Sequence, residues 1–243
     1  MVHTAKDYSN KYRQPTVYGN IDNAELAARL FSINTYVRSG SIVWMDDFED
    51  NINHWCKTAV GTGASVVLSD EAARNGKYSA KMTTPSDTAD YCSLQRAIGM
   101  LNTSKIGFEL SYADQDDNTR LSIMIAIYDG TTEYYGILRI SEAAGTLEIW
   151  DDIINNYVTL DTLTIDSEIC TWNTMKLIID MDSLYYVRGY FNNEEYDLTA
   201  YRLRDVALAT SPRIAVAVLL HRTVADNYHV YVDDAIITQN EPF

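Results

Sequence analysis

Carboxylates gather at two places that are also rich in strand-forming residues. One is Ile42-Val43-Trp44-Met45-Asp46-Asp47-Phe48-Glu49-Asp50 and the other is Tyr228-His229-Val230-Tyr231-Val232-Asp233-Asp234-Ala235-Ile236-Ile237-Thr238. β-Branched and aromatic residues surround both clusters, so the two segments are expected to pair as neighbouring strands and to bring acidic oxygens together. Clustered acidic oxygens suit a hard cation, or they stand as solvated strand-end acids paired with Lys77 or Lys81.

Other chemistries find less support. A retaining glycosidase needs two carboxylates about 5 Å apart, a spacing that one strand face supplies from positions two residues apart. Leu147-Glu148-Ile149-Trp150-Asp151-Asp152 comes nearest, but Trp150 stands where the second carboxylate is needed, and adjacent Glu194 and Glu195 would face opposite sides. His221 and His229 could meet across neighbouring strands, yet no Ser or Cys nucleophile motif accompanies them. Gly61-Thr62-Gly63 lacks the glycine spacing and the following helix of a nucleotide loop. No catalytic residue is therefore expected, and the chain is read as a non-enzyme.

Sugar binding needs aromatic platforms with polar neighbours. Trp150 beside Asp151-Asp152 and Tyr157 could supply one, as could Tyr134-Tyr135 or Tyr185-Tyr186, although most aromatics in a β-sandwich serve core or cross-strand packing.

The elements that would hold these groups follow from composition and pattern. The chain has 243 residues, 47% of them hydrophobic, with 18 tyrosines and a net charge of −15. It is long enough for one large all-β domain, and its acidity disfavours binding to nucleic acid or to an anionic membrane. No apolar run approaches the roughly 20 residues that span a bilayer, and the polar start lacks the apolar stretch of a signal peptide, so secretory export is not expected. Cys56, Cys92 and Cys170 show no metal-ligand spacing and are read as buried thiols.

From Ser41 onward strand patterns recur at spacings near ten residues. They fall over 41–48, 64–69, 77–83, 91–98, 105–112, 120–128, 133–141, 145–150, 172–180, 184–191, 194–198, 213–221 and 228–238. Asn75-Gly76, Asp129-Gly130, Ala144-Gly145 and Asn192-Asn193 mark turns between them. Segment 199–212 reads as a loop with a helical turn. Val230, Val232 and Ile236 are expected to share the core face of the last strand.

The first forty residues differ. Lys6, Lys11 and Arg13 outnumber Asp7 within residues 1–20, which also carry Tyr8, Tyr12, Pro15 and Tyr18 in no regular period. An extended arm fits this composition. Asp22 and Glu25 then form a capping box, and Leu26, Leu30 and Ile33 make one apolar stripe, which predicts a short helix at about Asn23 to Ser32. Such a helix is marginal alone, so the stripe is expected to dock on the sandwich or on another subunit.

Asp47-Phe48-Glu49-Asp50, Trp55, Gly76-Lys77-Tyr78-Ser79-Ala80-Lys81-Met82 and the closing Val230-Tyr231-Val232-Asp233-Asp234-Ala235-Ile236 resemble strands of carbohydrate-binding-module jelly rolls. Trp172-Asn173-Thr174-Met175-Lys176-Leu177-Ile178-Ile179-Asp180, followed by Tyr186 and Tyr190-Phe191-Asn192, is similar to strand pairs of concanavalin A-like and laminin G-like domains. The resemblance implies an all-β, two-sheet antiparallel jelly-roll sandwich of the concanavalin A-like kind. The N-terminal arm and short helix would occupy 1–40 and the sandwich 41–243. It also implies a structural calcium, held by Glu49, Asp50, Lys77 through its carbonyl, and Asp233 or Asp234.

Fold resemblance leaves activity open. The segment from Glu25 to Asp50 also looks like the leader of phage-associated jelly-roll proteins. The first expectation is therefore a virion component, such as a capsid decoration protein, assembled in the host cytoplasm. It would be tied to copies of itself or to other virion proteins through Tyr8, Tyr12, Arg13, Tyr18, Leu26, Leu30 and Ile33. The alternative is a non-catalytic carbohydrate-binding protein whose ligand lies on Trp150 and Tyr157.

Overall fold

A computed structural model describes residues 39–85, 87, 90–114, 118–165, 168–222 and 228–242. The expected arm, the helix over 23–32 and the contact residues Tyr8 to Ile33 lie outside the described residues.

Among the described residues sixteen strands follow one another. They are β1 (Ser41–Asp46), β2 (Cys56–Ala59), β3 (Ser65–Ser69), β4 (Ser79–Thr83), β5 (Cys92–Ile98), β6 (Lys105–Asp114), β7 (Thr119–Tyr128) and β8 (Thr132–Ser141). There follow β9 (Thr146–Asp151), β10 (Asn156–Thr162), β11 (Asn173–Asp180), β12 (Tyr185–Phe191), β13 (Glu194–Asp197), β14 (Arg204–Ala207), β15 (Arg213–Arg222) and β16 (His229–Gln239).

Two eight-stranded antiparallel sheets result. Sheet A has the order β13-β12-β11-β6-β16-β4-β3, and β1 pairs with β16 beyond the end of β4. Sheet B has the order β10-β9-β8-β7-β15-β5-β2, and β14 pairs with the first half of β8. The opening and closing strands are therefore neighbours, with Met45 opposite Ile236 and Asp46 opposite Ala235.

Period-two alternation builds the core between the sheets. In β7, Leu121, Ile123, Ile125 and Ile127 point inward while Arg120, Ser122, Met124, Ala126 and Tyr128 point outward. Facing β7 residues across the core are Phe108, Leu110, Leu177 and Ile179 of sheet A. Tight turns use the residues their backbone angles require. Gly130 has φ 113° after β7, and Asp129 Oδ1 accepts the amide hydrogens of Thr131 and Thr132 at 2.8 Å each.

Three expectations need correction. Segment 199–212 contains the strand β14, whose pairing with β8 overrides its polar composition. In β16, Val230 and Val232 point inward as expected, but a bulge between Asp233 and Ile236 shifts the parity. Ala235 and Ile237 continue the core, and Ile236 lies outside that cluster. Of the cysteines only Cys92 is buried, its thiol pushed up to about 12 by burial, while Cys56 and Cys170 are exposed.

Candidate functional site

The two acidic segments do come together, but around a loop. Residues 70–78 run between β3 and β4 and are gripped from both sides. On one side Glu49 Oε1 accepts the amide hydrogens of Lys77 and Tyr78, both at 2.7 Å. Gly76, with φ 66°, lets Glu49 come so close that a Cβ there would lie 2.3 Å from its carboxyl.

On the other side stand Asp233 and Asp234, placed by the β16 bulge, where Asp234 adopts φ 50°. Asp233 Oδ2 accepts the amide hydrogens of Arg74 at 2.8 Å and Asn75 at 3.3 Å. Asp234 Oδ2 accepts from Asn75 Nδ2 at 2.6 Å and lies 3.2 Å from the Arg74 guanidinium. That guanidinium, almost wholly buried, also donates to Ser111. Burial above all, then the neighbouring Asp234 charge, raises the Asp233 carboxyl to about 7. Burial likewise raises Asp234 to about 6, against the pull of Arg74.

The expected calcium ligands thus face N–H donors. Asp50 is exposed, and the exposed Lys77 turns its ammonium to the Tyr78 hydroxyl at 2.9 Å. Among the described residues no three His, Cys, Asp or Glu side chains stand close enough to hold a metal ion. As placed, this donor set does not fit a calcium cage. Arg74 and the loop amides supply the positive charge that a cation would bring. Lys81, free of this cluster, pairs with Glu71.

The second candidate region is the outward face of sheet B. Its origin lies in a fork. The edge of β8 opposite β7 pairs with β14 over residues 132–135 and with β9 over residues 138–141. Between the two, the hydroxyl of the buried Tyr186 reaches through from sheet A. It accepts the Ile137 amide hydrogen at 2.9 Å and donates to the Trp150 carbonyl at 2.8 Å. Gly136 makes room for it, since a Cβ there would come within 2.7 Å of the tyrosine ring. Burial raises the Tyr186 hydroxyl far above the ordinary tyrosine range, so it stays protonated and keeps both bonds.

On the outer side of the fork the aromatic and cationic groups meet. Trp150 and Tyr157 are cross-strand partners packed edge to face, with ring centres 5.0 Å apart and planes at 86°. The Arg139 guanidinium lies 3.2 Å over the Tyr157 ring and donates through Nε to Glu148 at 2.7 Å. Arg204 sits 4.8 Å over Trp150 and 5.5 Å over Tyr135. The Trp150 indole N–H is buried and has no acceptor among the described residues. At the tip of the β9–β10 hairpin Ile153 and Ile154 are 67% and 55% exposed.

Beyond the platform the surface steps down to small residues. Ser122, Ala126, Ala215 and Ala217 are buried between larger neighbours on adjoining strands. At the far end Tyr91 and His221 lie 5.6 Å apart, opposite the exposed Arg120. Burial, followed by the charges of Arg139 and Arg120, lowers the His221 pKa and favours the neutral ring.

Of the expected aromatic sites, Trp150 and Tyr157 come together as anticipated and Tyr135 joins them. Tyr134 packs against the core, and Tyr186 is a core residue that supports the platform. His221 and His229 do not meet, because β15 belongs to sheet B and β16 to sheet A. Sequence reasoning missed Arg139 and Arg204. The alternation of β8 offered a signal for the first, and nothing local marked the second.

No protein-family model matches the chain, and no curated protein matches it. Solved structures do. The cellulose induced protein Cip1 superposes with a TM-score of 0.55 at 14% identity, covering 80% of this chain and 96% of that one. An endo-β-1,4-glucuronan lyase from the fungus Trichoderma reesei gives 0.55 at 14% identity, over 82% and 96%. The family 22 carbohydrate-binding module of Clostridium thermocellum Xyn10B reaches 0.42 at 17% identity, over 84% and 98%. The likeness is one of fold. The first two neighbours share the two-sheet β-sandwich fold expected from the sequence.

Proposed function

We propose that this protein is a non-catalytic glycan-binding protein that seats a saccharide chain on the outward face of sheet B. The observation that carries the reading is the cluster of Trp150, Tyr157 and Tyr135, fixed from behind by Tyr186, with Arg139 lying over Tyr157 and Arg204 over Trp150 and Tyr135. The ring surfaces left open by the guanidinium groups can pack on the C–H faces of sugar rings, and the arginine N–H groups can bind hydroxyls. The fold likeness is compatible with this reading but does not assign a ligand.

The acids of this face support a binding role. Glu148 is held by Arg139, and Glu133 stands six residues from Arg139 along β8, a separation of roughly 20 Å by strand rise. That exceeds the spacing at which two carboxylates cooperate on a glycosidic bond. The test is retention of the purified chain in gels containing soluble polysaccharides, backed by calorimetry on any polymer that retards it. Trp150→Ala should weaken binding at least tenfold with the fold intact by circular dichroism. Unchanged retention in that variant would sink the proposal.

A second reading, attachment to a virion or other large particle, is favoured by the contrast between the basic residues 1–20 and the acidic body. It is compatible with glycan binding, since a particle component can carry a glycan-binding face.

A further inference from the structure

The charge on the outward face of sheet B runs against the charge of the chain. The sequence holds 19 Lys and Arg against 34 Asp and Glu. Yet Arg120, Arg139, Arg204 and Arg213 share this one face with Glu133 and Glu148, as their cross-strand partners show. Arg120 lies opposite His221, Arg139 opposite Ser122 and Glu148, Arg204 opposite Tyr135, and Arg213 opposite Tyr128. Glu148 is taken by Arg139, and Glu133 lies at the Tyr128 hydroxyl beside Arg213. Among the described residues neither Arg204 nor Arg120 has a carboxylate at ion-pair distance.

Arg204 is also the better prepared of the two. Resting on the rings of Trp150 and Tyr135, its planar guanidinium is held in place by cation–π contact while its N–H edge has no acid to satisfy it. From Arg204 past Arg139 to Arg120 the cations cross the face on a diagonal of roughly 20 Å, by strand rise and strand spacing. Such a line matches an extended polymer with a repeated negative charge better than a single small anion.

We propose that the glycan recognised here is an acidic one, a polysaccharide bearing uronic-acid carboxylates, with Arg204 and Arg120 taking carboxylates on either side of the sugar stacked at Trp150. This rests on the glycan-binding reading above. A guanidinium binds a carboxylate through two parallel N–H bonds, which a neutral sugar cannot reproduce. The acidic remainder of the surface would repel a polyanion elsewhere and confine it to this face.

The experiment compares the full chain on polygalacturonate, alginate, fully methyl-esterified polygalacturonate and neutral xylan. The ester retains the sugar stereochemistry and removes the charge. At least one acidic polymer should bind tenfold or more tightly than the ester and xylan, and the difference should shrink in 0.5 M NaCl. Arg204→Ala and Arg120→Ala should each weaken acidic-polymer binding several-fold, and Arg204→Lys should recover only part of the loss. If the ester or xylan binds as well as the acids, and Trp150→Ala still abolishes it, the acidic specificity is wrong and glycan binding stands. Acidic-polymer binding indifferent to both arginines would overturn the assignment of the carboxylate contacts. Failure to bind any polymer would remove the glycan-binding reading and this one together.

Discussion

Asp233 and Asp234 lie side by side at Arg74, but only Asp234 pairs with its guanidinium while Asp233 accepts backbone amide hydrogens, and that shortage of positive charge has a consequence for pH. Both folded-state pKa values, about 7 and about 6, lie above the ordinary aspartate value near 4. The unfolded chain therefore releases these protons first as pH rises. Below pH 4 the pair's contribution to stability is fully present, and it declines as pH climbs through 6 and 7. Glu71, Asp129 and Asp197 act in the opposite sense, because their hydrogen bonds lower their pKa values and their contribution is lost in acid. The melting temperature should thus rise from strong acid to about pH 5 and fall toward pH 8. Asp234→Asn keeps an acceptor for Asn75 and suits the left-handed backbone, but removes one charge. Its melting temperature should fall less steeply between pH 5 and 8, and a slope equal to the parent's would refute the account. The same scan in EDTA checks the calcium reading from the protein's own geometry. With Arg74 and the loop amides holding the carboxylates, chelation is expected to leave melting unchanged, and a drop of several degrees would restore calcium as a ligand of Glu49 and Asp233 or Asp234.

The platform depends on elements that meet imperfectly, since β9 and β14 share one edge of β8 and leave a gap that a tyrosine from the opposite sheet fills. Tyr186→Phe keeps the ring and removes the hydroxyl. The Ile137 amide and the Trp150 carbonyl then lose a buried partner, at a cost of about 1–3 kcal/mol. Denaturant melts should register that loss, and glycan affinity should fall with it because Trp150 is no longer tied. Full stability in the variant would show that water or another group fills the gap. This fork also marks where the sequence stops being readable. The long strands β6, β7, β8, β11, β15 and β16 announced themselves by large apolar residues at alternate positions, with the period broken in β16 by its bulge. β2, β10 and β14 did not, because Cys56–Ala59 is exposed throughout, the β10 pairing is broken at Thr159 to Asp161, and Arg204–Ala207 is mostly exposed. Their pairing comes from the edges they join, a tertiary effect that no local window contains. Trp150 and Tyr157 were legible as candidate platform residues close in sequence, although the hairpin that pairs them was not. Arg204 was not, because its place over Trp150 depends on β14 reaching the other side of the same fork.

At the scale of the whole chain, charge separates three regions: an acidic body, an arginine-bearing outward face on sheet B, and the basic segment 1–20. Among the described residues every strand pair lies between Ser41 and Gln239. Removing residues 1–20 should therefore leave the melting temperature and the affinity for glycan unchanged. What it should change is association. Lys6, Lys11 and Arg13 complement an acidic surface such as the body of a second copy, and Tyr8, Tyr12 and Tyr18 supply contact area. Native mass measurement of the full and truncated chains at matched concentration checks this, with a multimer expected for the first and a monomer for the second. High salt should shift the full chain toward the monomer, since exposed charge pairs are screened within a Debye length of about 8 Å at physiological ionic strength. A full-length chain that is already monomeric at low salt, or a truncated chain that keeps the full chain's stoichiometry, would leave the glycan-binding face as the sole function with support and would end the case for attachment through the arm.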